Sequence, residues 1–388
     1  MKKWKYAAAS ALAVLAGCGG SSDGASTTPK AAVSSVKVFG DSIADSGTFG
    51  YKLTVQSGNP AEPFLLIAER IAASFGVSSL CSFFNYDGSA FRSNAACTNY
   101  AVSGGRVNNL TNADMPGNAL PLSIPFQMGA GSVSLAPTDM VIIDGGSNDL
   151  ADILSAYLNA GTPSGLAAYQ AALGTLLPAA TVTATIGNPS ATSLAAVGGV
   201  YAQALAQALV ASIRASVLSK GVQKVVVMNS SDFTKTPRFQ AMLAGIAARS
   251  GTAQRDAVLA AATGWIQTYN TALAQGLSGT GVLVFDFFTE ANRIYYDPAQ
   301  YVITNVTTPA CPAVAGGVDP VTGQASLFYA PTVAACNSAK LSSSIPMGMV
   351  SADWWKRYFF ADDFHPSPVL HQLIAQAMSL QMARAGWI

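Results

Sequence analysis

Strand-length apolar runs, set far apart with helical patterns between them, constrain this chain more than any other feature. They are Val36–Phe39, Met140–Ile143, Val225–Met228 and Val282–Phe287, with a weaker one at Asn99–Val102. Strands that alternate with helices imply a parallel sheet covered on both faces. Between 194 and 220, Val197, Val200, Tyr201, Leu205, Leu209, Ile213 and Val217 recur at helical spacing. Gln203, Gln207 and Arg214 lie mainly opposite, which reads as an amphipathic helix rather than a membrane span. Lys220-Gly221 closes it with a basic residue and a C′ glycine. Residues 255–277 behave alike and end near Gly276, and a last helix runs from Pro368 to Ala385. The expected fold is one three-layer α/β/α domain over residues 35–388 with a central parallel sheet. Long insertions fall near 80–98, 105–135 and 295–350. Ligands of such sheets bind outside the carboxyl ends of the strands.

Composition narrows the function classes. Half of the residues are hydrophobic and 11% are charged, which supports a large core and argues against disorder. A net charge of +1 gives no electrostatic case for nucleic acid. Lys2, Lys3 and Lys5 precede an Ala/Leu/Val run too short to span a bilayer. It ends in Leu15-Ala16-Gly17-Cys18, which resembles the lipobox of a bacterial lipoprotein signal over residues 1–18. That resemblance implies a lipidated Cys18 as the mature N-terminus and membrane attachment through its acyl chains. Gly19, in place of Asp, implies the outer membrane by the same resemblance. An ordinary secretory signal containing a cysteine is the other reading. Residues 19–34 are Gly, Ser, Thr and Ala with one Pro and read as a flexible tether. The tether holds the chain's G-x-S-x-G, Gly20 to Gly24, where no strand precedes and no helix follows, so an α/β-hydrolase elbow loses its support.

Cys81, Cys97, Cys311 and Cys336 follow Cys18. An even count in an exported chain suggests two disulfides, with three connectivities open. Local pairing, Cys81–Cys97 and Cys311–Cys336, is expected because both pairs bracket loop-like segments. The spacing is not that of a zinc site.

The chemistry-bearing residues stand at strand ends. Val36–Phe39 runs directly into Gly40-Asp41-Ser42, so Ser42 is a candidate nucleophile at the rim of the sheet. A serine needs a base, usually histidine, and the chain has two. His365 lies in "ADDFHPS", with Asp362 three positions before it and Asp363 two before. A carboxylate at that distance can fold back onto Nδ1 and fix the tautomer. Pro366 restricts His365 to an extended backbone. His371 sits in a helical pattern and reads as a packing or helix-surface residue. Oxyanion donors could come from the Ser42 N–H, from Gly104 or Gly105 in "NYAVSGGRV", and from Asn148 in "IIDGGSND". Each of these stretches alone is ordinary turn chemistry.

Together and in order, "GDSIADSG", "NYAVSGG", "GGSND" and "DDFHP" resemble the GDSL family of serine esterases and lipases, also called SGNH hydrolases. "SDFTKTPR" (Ser231 to Arg238) adds a likeness to its autotransporter- and haemolysin-type members. The likeness spans residues 36–371, with Ile43 where the family name has Leu. It implies a flavodoxin-like sheet, Ser42 as nucleophile, His365 as base and Asp362 as its partner. It implies Ser42, Gly104 and Asn148 as the oxyanion hole, no cofactor or metal, and an ester or lipid substrate. Asp45 and Asp149 are expected to be structural acceptors, and the chain to act as a monomer. Simple carboxylic esters lead the expected substrates, ahead of phospholipid or acyl-transfer chemistry and carbohydrate O-acetyl groups. A catalytically silent surface-binding lipoprotein is the reading from a different class.

Overall fold

The structure is a computed structural model that describes residues 33–77, 79–108, 121–129, 133–311 and 333–388. The signal segment with Cys18, the Gly20–Gly24 motif and nearly all of the tether lie outside the described residues. The strands are β1 (Val36–Phe39), β2 (Phe84–Tyr86), β3 (Phe91–Ser93), β4 (Met140–Ile143), β5 (Lys224–Met228) and β6 (Leu283–Phe285). The helices are α1 (Ile67–Ser74), α2 (Ile124–Gly129), α3 (Ser147–Asn159), α4 (Pro163–Gly174), α5 (Ala179–Ile186) and α6 (Ala191–Ser216). They continue with α7 (Pro237–Ser250), α8 (Thr252–Leu277), α9 (Phe287–Tyr296), α10 (Ser338–Ser343) and α11 (Pro368–Arg384).

β1, β4, β5 and β6 pair in parallel in that order. The weak run at 99–102 lies on the open side of β1. Its pairing consists of Val38 N to Thr98 O (3.1 Å), Tyr100 N to Val38 O (2.8 Å) and Val102 N to Gly40 O (3.1 Å). The resulting order is that of a doubly wound, flavodoxin-like sheet. Successive side chains of a strand point to opposite faces, and the two cores divide accordingly. Phe39, Val141, Ile143, Val225 and Val227 join helices α3 to α8 on one face. Val36, Val38, Met140, Ile142, Val226 and Met228 join α1, α9 and α11 on the other. The three-layer architecture read from the sequence is therefore present.

One boundary differs from the sequence reading. The run at Val282–Phe287 is strand only over Leu283–Phe285, because the Asp286 side chain accepts from Thr289 N (3.1 Å) and caps α9. α8 ends at Leu277, beside Gly276 as read from the sequence; a Cβ on Gly276 would come within 2.8 Å of Val210 Cγ2, so the glycine also permits a close helix approach. The insertion at 80–98 carries the β2–β3 hairpin.

Helix α6 is long and apolar enough by composition to cross a membrane. It instead buries Val197, Tyr201, Leu205, Leu209 and Ile213 completely. At Gly198 a Cβ would lie 2.1 Å from the Trp265 ring of α8, so the glycine lets the two helices meet. Both expected disulfides form, Cys81–Cys97 and Cys311–Cys336.

Candidate active site

The in-register strands end together, so the loops after Phe39, Ile143 and Met228 converge on one rim. Ser42 stands two residues past Gly40, where a Cβ would fall 1.3 Å from Asp144 Oδ1. The glycine thus vacates space that the Asp144 carboxyl fills. Gln127, fully buried, braces the same residue by accepting from Gly40 N (2.8 Å) and donating to Gly40 O (3.0 Å). Beyond it the chain makes one tight turn. Ala44 N and Asp45 N donate to Asp41 O, and Ile43 N donates to Asp41 Oδ1 (3.0 Å). The Ser42 N–H finds no acceptor among the described residues and remains available at the rim.

The loop 360–366 closes on itself through Ala361 N to His365 O (2.8 Å) and carries Asp362 and His365 to the same rim. His365 Nε2 lies 3.0 Å from Ser42 Oγ, across 323 positions of sequence. Its Nδ1 lies 2.8 Å from Asp362 Oδ2. The other oxygen of Asp362 accepts the backbone N–H of Phe364 (2.8 Å) and of His365. Burial pushes the Asp362 carboxyl up, but the charge and hydrogen bonds of His365 outweigh it and hold the group below its ordinary value. Asp362 is therefore kept as an acceptor for the imidazole N–H. Asp363 does not share this site. It binds Arg238 through two hydrogen bonds, 2.8 and 2.6 Å.

Gly104 and Gly105 behave differently. Gly105 N donates to Val102 O (2.8 Å), and a Cβ there would meet Gly40 O at 2.6 Å. Gly104 has a left-handed φ of +83° and its N–H has no acceptor among the described residues. Of the two, only Gly104 has an N–H to offer. Asn148, in the first turn of α3, donates to Gly105 O (3.0 Å) and makes a long contact with Asp41 Oδ2 (3.4 Å). It lines a cleft with Ser42. Asp45 accepts from Gly47 N, Thr48 N, Ser103 N and Ser103 Oγ. Asp149 accepts from Val107 N and Asn108 N. Both are structural acceptors that tie separate segments together, as expected. Asp149 is nonetheless pushed up to about 7, chiefly by burial.

His371 takes no part in this hydrogen-bond network. It is buried in α11, not on the helix surface, and neither ring nitrogen has a hydrogen-bond partner. Asp41, Asp144 and Gln127 were not singled out from sequence. Asp41 and Asp144 stand in Gly-rich stretches that read as turns, and Gln127 lies in an insertion.

The cleft at Ser42 is walled by Ile43, Phe287, Tyr295, Phe359, Phe360 and Leu370. Phe233, Thr236 and Phe364 line both this cleft and a second, largely apolar pocket. Lys235 also lines the cleft, with Nζ 3.8 Å from Asp232 Oδ2 and 5.4 Å from the Tyr296 ring centre.

Among solved structures, the chain is similar to an extracellular lipase from Streptomyces rimosus at 16% identity and a TM-score of 0.32. That match covers 89% of this chain and 98% of the other. It is also similar to phospholipase A1 from Streptomyces albidoflavus at 12% identity and a TM-score of 0.31, covering 91% and 99%. A comparison with curated protein sequences gave no match. The family model for GDSL-like lipases and acylhydrolases matches residues 36–378, from the first residue of β1 into α11. With so much of its length matched, the chain belongs to the GDSL-like lipase/acylhydrolase family.

Proposed function

We propose that the chain hydrolyses carboxylic esters through an acyl-enzyme on Ser42. The observation that carries this reading is the pair of contacts at His365, 3.0 Å to Ser42 Oγ and 2.8 Å to Asp362 Oδ2. In the proposed cycle, His365 Nε2 takes the hydroxyl proton as Ser42 Oγ attacks the ester carbonyl. Negative charge develops on the carbonyl oxygen and is met by the N–H groups of Ser42 and Gly104 and by the Asn148 amide. The tetrahedral intermediate collapses, and the leaving alcohol takes the proton from His365. Water then attacks the acyl-enzyme by the same route and returns Ser42 to its free form. Asp362 keeps the imidazole in the tautomer whose Nε2 can accept.

The aromatic and aliphatic walls of the cleft suit an apolar acyl chain. Two disulfides favour an oxidising compartment outside the cytoplasm. Anchoring through a lipidated Cys18 belongs to the same proposal, and incorporation of labelled fatty acid into wild type but not Cys18→Ser tests it. The main test is a panel of p-nitrophenyl esters of increasing chain length on wild type and Ser42→Ala. Hydrolysis abolished by Ser42→Ala supports the reading. Equal rates for the two proteins would leave a fold used for binding alone.

A further inference from the structure

Asp144 presents an anomaly directly behind Ser42. Its Oδ1 accepts the Asp41 N–H (3.0 Å), while its Oδ2 is buried with no N–H or O–H donor beside it. Asp41 and Asp144 are both buried, and the backbone of one is bound to the carboxyl of the other. Two ionised carboxylates this close, one with an oxygen that no donor meets, repel each other unless one of them carries a proton. Asp41 is the better acceptor of the two, because its carboxylate already receives Ile43 N and the Asn148 amide.

We infer that Asp41 and Asp144 hold one proton between them, and that this carboxyl–carboxylate pair positions the oxyanion-binding groups. The inference rests on the proposed ester hydrolysis only for its kinetic consequence. The proton sits on Asp144 and is donated to Asp41. Asp41 in turn fixes the Ser42 turn through Ile43 N and steadies Asn148. The shared proton also limits the charge behind the nascent oxyanion to that of one carboxylate. Loss of the proton would place two like charges in contact and oppose the developing negative oxygen.

The surroundings agree. Burial pushes both groups upward, and the charge of Asp41 raises Asp144 further. The titratable groups that face the pair are His365 and Arg106, which act on Asp41, and Tyr269, which senses Asp41, Asp144 and Asp149. Tyr269 is itself raised well above its ordinary value by burial and donates to Gly145 O (2.8 Å). Gly40 completes the device, since any side chain there would displace the Asp144 carboxyl.

Asp144→Asn tests this directly. Its amide can accept from Asp41 N and donate permanently to the Asp41 carboxylate, without a proton to lose. Asp144→Ala should lower kcat by roughly 10²-fold through the loosened donors, and Asp144→Asn should recover most of that loss. Wild type should lose kcat on the alkaline side, and Asp144→Asn should lack that limb. An unchanged limb in Asp144→Asn, or a kcat as low as that of Asp144→Ala, overturns the inference. Infrared difference spectra of wild type minus Asp144→Asn give a readout independent of activity. The C=O stretch of a protonated carboxylic acid at neutral pH should vanish in the variant, and its absence from wild type would overturn the shared proton even if no ester is cleaved.

Discussion

Arg238 holds Asp363 through both guanidinium and backbone. Its Nε and Nη2 reach the two carboxylate oxygens at 2.8 and 2.6 Å, and its N–H donates to Asp363 O at 2.9 Å. Asp363 is thereby committed to the first turn of α7, and its neighbour Asp362 alone faces His365. Asp362→Asn should lower kcat by roughly 10²–10⁴-fold, because the imidazole loses its tautomer and its counter-charge. Asp363→Asn should cost less than about tenfold, as it only loosens the loop. Steady-state kinetics on a soluble p-nitrophenyl ester distinguishes them. The reverse ranking would move the orienting role to Asp363.

The oxyanion donors make a second, separable prediction. Asn148→Ala should lower kcat by roughly 10²–10³-fold with little change in KM, since the contact strengthens only as charge develops. Asn148→Asp keeps the shape, removes the N–H donors and adds a like charge, so it should be at least as damaging. A loss under threefold for Asn148→Ala would assign the residue to its bond with Gly105 O alone.

Much of this site is legible in sequence because its signals are local. Val36–Phe39 is apolar except for Lys37, which is buried against Asp139, and Gly-Asp-Ser follows at once, so the strand and the serine at its end can be read together. Asp362 and His365 are three residues apart, within one turn. What sequence hides is pairing at a distance. The Asp41–Asp144 contact joins residues 103 positions apart, each of them an Asp in a Gly-rich turn. The choice between Gly104 and Gly105 depends on which N–H a tight turn consumes, and two adjacent glycines cannot show that. Gly276 has a second role that sequence does not show: it stands at the end of α8, as read, and it also lets α8 approach Val210 of α6.

The Cys311–Cys336 bridge lies beside the histidine loop. Cys311 N donates to Ala361 O (2.7 Å), one residue before Asp362, and Cys336 O accepts from Gln56 N (2.8 Å). Replacing both cysteines with serine should cost about 3 kcal/mol of stability by chain-entropy reasoning. It should also lower kcat, because the Asp362–His365 loop loses its tie to the 54–56 segment. Removing Cys81–Cys97 should cost similar stability but less activity, since that bridge braces the 98–102 edge of the sheet. Thermal melts and kcat for the two double variants check this. Equal activity losses would show that the bridges stabilise the domain without steering the loop.

His371 predicts how the fold responds to acid. The ring is buried without a partner in α11, and burial holds it down at about 3, with Arg70, His365 and Lys52 adding to the effect. The unfolded chain binds this proton near the ordinary value of 6.5, and the folded chain does not. Stability is therefore lost as pH falls from 6.5 toward 3, with a limiting slope of about 1.4 kcal/mol per pH unit from this group. Asp149 works in the opposite direction: raised to about 7, it disfavours the fold less as pH falls toward 4. Asp362, held below its ordinary 3.8, adds acid sensitivity only beneath that value. The wild-type minus His371→Leu difference isolates the histidine between pH 6.5 and 4. Denaturant midpoints should converge with the variant's at neutral pH or lie slightly below them, and fall further behind with each step toward acid. A constant gap across that range would mean that the folded protein protonates His371 as readily as the unfolded chain does.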